Sequence, residues 1–149
     1  MKVSLIDILL SNNPKPKKKV RESLISFLHT RLCRDIKKIF KLNSIFWIFC
    51  KEDEDEDDNL AYYVMTTKKN PQIILHDAAL YRFAKSYKLS IKNVVYFAML
   101  HEMTHAYLDC KGLNKHSERT IDKFAFKVLR TSVKEAMPIL DKYLKGKKK

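Results

Sequence analysis

The sequence predicts an α+β fold: a small, mostly antiparallel three-stranded sheet packed against helices, one of which carries an H-E-x-x-H segment. Three observations predict it. Apolar residues recur at helical spacing between 19 and 41, three short aromatic and β-branched segments follow between 44 and 76, and helical periodicity with capping residues fills the second half. At 149 residues the chain fits one domain, 1–149, large enough for a hydrophobic core. With 46% hydrophobic residues but only two glycines and four prolines, a loop-rich or low-complexity chain is excluded.

Val3 to Leu10 reads as a short docked helix, and Lys15 to Lys19, with Pro14 and Pro16, as an extended basic linker; residues 1–18 together form this N-terminal helix and linker. Asp7 interrupts the apolar stretch, and Ser11-Asn12-Asn13-Pro14 lacks a small-x-small cleavage site, so a signal peptide is not the expectation. Val20, Leu24, Phe27, Leu28, Leu32, Ile36, Ile39 and Phe40 then predict one amphipathic helix over 19–41. Segments 44–50, 60–66 and 72–76 read as strands. The first two are joined by an acidic loop, 51–59, and the last two by a turn at Lys68-Lys69-Asn70-Pro71. Strands joined in succession predict antiparallel neighbours.

Asp77 is the expected cap of a helix through Ser86. Ser90 should cap the next helix, which runs to Cys110 and stops at Gly112. Val94, Phe97, Ala98, His101, His105 and Leu108 share one face of it, so the histidines point inward beside the core. A last helix is expected from the N-cap Ser117 to about Ala136, where Pro138 bends or restarts it, before a basic tail at 146–149.

Cys33, Cys50 and Cys110 are far apart with no C-x-x-C, which excludes a zinc ribbon and favours a reducing compartment; the expectation is a cytoplasmic protein. No apolar run reaches the roughly 18 residues needed to cross a bilayer, so no membrane partner is expected. The formal charge is +13, and it is uneven. The acids from Glu52 to Asp58 lack the glycine and spacing of an EF-hand, and without them the remaining charge is more basic still. Such a body attracts polyanions, which makes nucleic acid a candidate partner.

The chemistry lies in His101-Glu102-Met103-Thr104-His105. Histidines four apart on a helix stack on one face and can converge on one metal ion, while the intervening glutamate can hold and deprotonate a water. Zinc in a hydrolase usually takes three protein ligands and leaves a fourth position open. On the next helix, Glu118 and Asp122 lie on the stripe of Ile121, Ala125, Val128 and Leu129 and so face the protein. Carboxylates there are costly unless they meet a cation or a hydrogen-bond donor. Glu118 as third ligand and Asp122 as the group orienting a histidine would satisfy both.

Glu118-Arg119-Thr120-Ile121-Asp122-Lys123-Phe124-Ala125 resembles the E-x-x-x-[DN]-x-F-A element that follows H-E-x-x-H in gluzincin-type metallopeptidases, including ImmA/IrrE-like and HtpX-type proteins. The resemblance runs from His101 to Ala125. It implies a zincin-like domain with zinc held by His101, His105 and Glu118, with Asp122 behind the ligands. The motif helix is also similar to that of SprT/Spartan-like proteases, whose third ligand is a downstream histidine. His116 would fill that role, although Ser117 stands where that family has glycine. Both resemblances imply zinc-dependent peptide-bond hydrolysis of a protein or peptide substrate, one that is regulatory or DNA-associated, with Glu102 as the catalytic base. His116 or Tyr107 is the candidate oxyanion donor. The alternative from a different class is a non-catalytic, basic nucleic-acid-binding or interaction module with a vestigial metal site.

Overall fold

The structure is a computed structural model, and it describes residues 18–42, 46–50, 60–67, 70–113 and 115–147. The expected helix at 3–10, the linker before 18, the acidic loop 51–59, part of the 68–71 turn and the end of the basic tail lie outside the described residues. In order, the elements are α1 (Lys18–Leu28), α2 (Arg31–Phe40), β1 (Phe46–Cys50), β2 (Ala61–Thr67), β3 (Asn70–His76), α3 (Asp77–Tyr87), α4 (Ile91–Cys110), α5 (Glu118–Arg130) and α6 (Val133–Lys147).

The expected α+β fold with a mostly antiparallel sheet is corrected. The described chain is mostly helical, with six helices, and its three short strands form a mixed sheet in the order β1-β3-β2. β2 and β3 pair antiparallel, as consecutive strands do, but β1 lies parallel to β3 on its other side. The reason is the length of the connection between β1 and β2. Residues 51–60 are far more than a tight hairpin needs, and stepping over one strand requires only about 10 Å. Sequence order therefore does not fix which strands are neighbours here.

Two helix boundaries also differ from expectation, and for one reason. The helix expected over 19–41 is two helices, because Thr30 adopts extended backbone (φ −75°, ψ 151°) and its side chain accepts from the Cys33 N–H as the N-cap of α2. Apolar spacing runs on through the break unchanged. The last helix likewise breaks at Thr131-Ser132, where the Ser132 hydroxyl accepts from the Glu135 N–H and opens α6. Pro138 thus sits inside α6 and marks no boundary. Asp77 is the first residue of α3 rather than its cap. Ser90 and Ser117 cap α4 and α5 as expected, each accepting a backbone N–H three residues on.

α4 is the axis of the core. Val94, Val95, Met99, Leu100, Met103, Ala106 and Leu108 are all at most 1% exposed, and α4 packs on α1, α3, α5, β2 and β3. A helix covered on nearly every side is apolar all round rather than striped, which is what α4 shows on either side of its histidines. Phe27, Phe124, Leu24, Ile36, Ile73 and Leu80 are large side chains that are also fully buried in this core. Among the described residues no helix is long and apolar enough to cross a membrane.

Candidate metal centre

α4 presents His101 and His105 one turn apart, with their Nε2 atoms 3.2 Å from each other. The N-terminus of α5 brings Glu118 onto the same point: Oε2 lies 2.8 Å from His101 Nε2, and Oε1 lies 3.0 Å from His105 Nε2. One ligand atom from each of the three residues falls within 4.8 Å of the others, a group that could hold a metal ion. The α5 cap makes this possible. Ser117 ends the loop, so Glu118 stands in the first helical turn, where a carboxylate is favoured by the helix dipole.

The donor set can be tested against a cation. Asp122 Oδ1 is 2.8 Å from His101 Nδ1, and a carboxylate only accepts, so the imidazole donates there. A neutral His101 ring then has a lone pair at Nε2, facing a carboxylate oxygen at 2.8 Å. Lone pairs converging at that distance repel unless a proton or a cation lies between them. The two Nε2 atoms are also spaced close to the roughly 3.3 Å that tetrahedral coordination at 2.0–2.1 Å demands. Two imidazoles and a carboxylate fit a borderline ion such as zinc.

Glu102 lies beside this group and is 6% exposed. Its carboxyl is pushed up to about 8, first by burial and then by the negative charge of Glu118. His105 is pushed down to about 4, chiefly by burial, and is therefore neutral and able to donate its lone pair at pH 7.

His116 does not join the convergent group. Its Nδ1 meets Nδ1 of His105 at 2.7 Å, on the side of that ring away from Glu118, and its Nε2 lies 2.8 Å from the Leu113 carbonyl and 3.2 Å from Asp109 Oδ1. Tyr107 is also turned elsewhere: its ring stacks on Phe40 at 4.3 Å within the core. Two neighbours escaped the sequence reading. Asp109 is four residues after His105, a spacing that could have flagged it. Tyr143, on α6, accepts from the Ser117 N–H at 2.9 Å and pins the start of α5; nothing in the sequence signals that contact.

An open groove of about 1070 Å³ adjoins the centre, sharing Asp122 with it. Tyr87, Leu89, Phe97, Phe126 and Leu129 line it. The Phe97 ring lies 5.9 Å from that of His101 and 4.7 Å from that of Phe126. Tyr87, Leu89, Phe126 and Leu129 are four of the five large hydrophobic residues left exposed among the described residues, so this exposed apolar surface is concentrated in one groove.

Searches against family models, curated proteins and solved structures return no match for this chain.

Proposed function

We propose that this chain is a zinc-dependent peptidase that hydrolyses a peptide bond at the His101, His105 and Glu118 centre. One observation carries the reading: three electron-pair donors from two helices converge within 4.8 Å beside a nearly buried glutamate. A purely structural cluster would not need Glu102, whose burial is costly for a carboxyl group without a task. His101, His105 and Glu118 hold the ion, and Asp122 orients His101.

Bound there, zinc supplies Lewis acidity toward the scissile carbonyl and lowers the pKa of a water toward about 7. Glu102 takes a proton from the attacking water as its oxygen bonds to the carbonyl carbon. The same carboxyl then delivers that proton to the amine nitrogen as the carbon–nitrogen bond breaks. A carboxyl displaced to about 8 is suited to exchanging a proton near neutrality. The charge of Glu118 contributes to that displacement, and a cation would oppose it, moving Glu102 back toward ionisation. Substrate side chains lie in the groove lined by Phe97, Phe126 and Leu129, which supports a substrate with large apolar residues near the cleavage point.

The experiment is metal analysis with cleavage profiling of the purified chain against Glu102→Gln. One zinc per chain in both proteins, with cleavage reduced roughly 10²–10⁴-fold in the variant, is the expected result. Undiminished cleavage by zinc-loaded Glu102→Gln removes the base. A wild type that takes up no zinc and cleaves nothing, yet binds DNA in a salt-dependent manner, would favour the interaction module instead.

A further inference from the structure

We propose that His116 and Asp109 are positioning residues, which fix the ring proton of His105 on Nδ1 and so leave Nε2 to face the ion. This rests on the metal reading above and adds two residues that do not themselves touch the ion.

The assignment follows from which atoms can donate. His116 Nε2 lies 2.8 Å from the Leu113 carbonyl oxygen and 3.2 Å from Asp109 Oδ1. Neither a carbonyl nor a carboxylate can donate, so His116 carries a proton on Nε2, and a ring with that single proton has a bare Nδ1. That bare nitrogen is 2.7 Å from His105 Nδ1, and two lone pairs at this distance would repel. His105 Nδ1 therefore donates. Its own Nε2 is left bare, 3.0 Å from Glu118 Oε1 and 3.2 Å from His101 Nε2, where the other donors converge. The ring centroids are 5.0 Å apart and the ring planes differ by 27°, so the two rings meet edge to edge through this nitrogen–nitrogen contact.

The two metal-facing histidines are thus oriented by different chemistry. His101 donates to a carboxylate, whereas His105 donates to a neutral imidazole that is itself anchored by a carbonyl and a carboxylate. His116 also precedes Glu118 by two residues. Tyr143 clamps the peptide between them, accepting from the Ser117 N–H at 2.9 Å and donating to the Lys115 carbonyl at 3.4 Å. A single short segment therefore delivers both the orienting imidazole and the carboxylate, coupling the alignment of His105 to the placement of Glu118.

The test uses the full chain, stripped with a chelator and titrated with zinc in competition with a chromophoric chelator. His116→Leu should weaken zinc roughly 10–100-fold while still binding one ion per chain, as loss of an outer partner does. His116→Asn places an amide oxygen where Nδ1 was and should recover affinity to within a few-fold. The visible spectrum of the cobalt-substituted chain should shift in the leucine variant and return in the asparagine variant. Nitrogen NMR of the metal-free wild type should place the His105 proton on Nδ1, a readout that needs no variant to fold. A proton on Nε2, zinc affinity unchanged in His116→Leu, or total loss of stoichiometric binding (which would make His116 a ligand) would each overturn the proposal. If the wild type takes up no zinc, the metal reading itself fails, and that is evident before any variant is compared.

Discussion

The two helices that build the candidate metal group contribute to it in opposite ways. On α4, the His101 and His105 side chains are 17% and 11% exposed and Glu102 is 6% exposed, in a stretch where Met99, Leu100 and Met103 have no exposure at all. On α5, the side chains of Glu118 and Asp122 are 65% and 45% exposed. The α4 half is set by core packing whether or not an ion is present. α5 is also anchored in the core through Ile121, Phe124 and Ala125, but its two carboxylate side chains reach the imidazoles while lying open to solvent. The contrast predicts that folding stability and the proposed metal affinity reside in different residues, so that each can be removed without the other.

Paired substitutions test this most strongly. Glu118→Ala removes an exposed ligand, so zinc affinity should fall by more than the ~10–100-fold attached to an outer partner. Unfolding free energy of the metal-free protein should stay within about 0.5 kcal/mol, as for surface changes generally. Leu100→Ala should do the reverse. It costs about 2–5 kcal/mol of stability by opening a cavity in the core, while the folded fraction binds zinc much as before. Urea unfolding in chelator and zinc competition measure the two quantities separately. If Glu118→Ala proves as destabilising as Leu100→Ala, the separation is wrong.

A smaller effect comes from pH, and it belongs to the buried half. The Glu102 carboxyl is raised in the fold from 4.5 to about 8, so between those values the folded chain holds a proton that the unfolded chain has lost. That contribution is complete below pH 4.5 and disappears as pH rises to about 8. His105 is lowered from 6.5 to about 4, so its contribution is present above 6.5 and lost as pH falls toward 4. From 4.5 to 6.5 the two oppose each other. From 6.5 to 8 Glu102 acts alone, and the metal-free protein should lose on the order of 2 kcal/mol of stability. Urea midpoints in chelator at pH 6.5 and 8 check this, and Glu102→Gln should flatten the slope.

These same regions differ in how far they could be read from sequence. The H-E-x-x-H spacing and the Ser90 and Ser117 caps follow from local rules; Glu118 and Asp122 do meet the histidines, but their expected core-facing placement is corrected, since their side chains are 65% and 45% exposed. Local rules did not reveal that β3 would separate β1 from β2, because strand order is decided by long-range packing. They also missed the breaks at Thr30 and Thr131-Ser132. Apolar periodicity sees only which face is buried, and a cap can end a helix without disturbing that face. His116 was legible as a residue near the site but not in its role. Which side of the His105 ring it meets depends on the path of the loop and on Tyr143, 26 residues beyond Ser117.

Under the proposed peptidase function, the exposed groove extends the contrast to substrate, with the smallest effect of the series. Phe126 is 54% exposed and rests on Phe97, so the fold gains little from it. Phe126→Ser should therefore leave stability within about 0.5 kcal/mol and zinc affinity unchanged. For a cleaved peptide with a large aliphatic or aromatic side chain at the groove, kcat/KM should fall roughly 3–10-fold through KM, the scale of a partly lost apolar contact. A peptide carrying alanine or serine at that place should not respond. A uniform loss on both peptides would mean that Phe126 acts through the alignment of His101, which Phe97 also touches. In that case the groove would belong with the buried half of the centre.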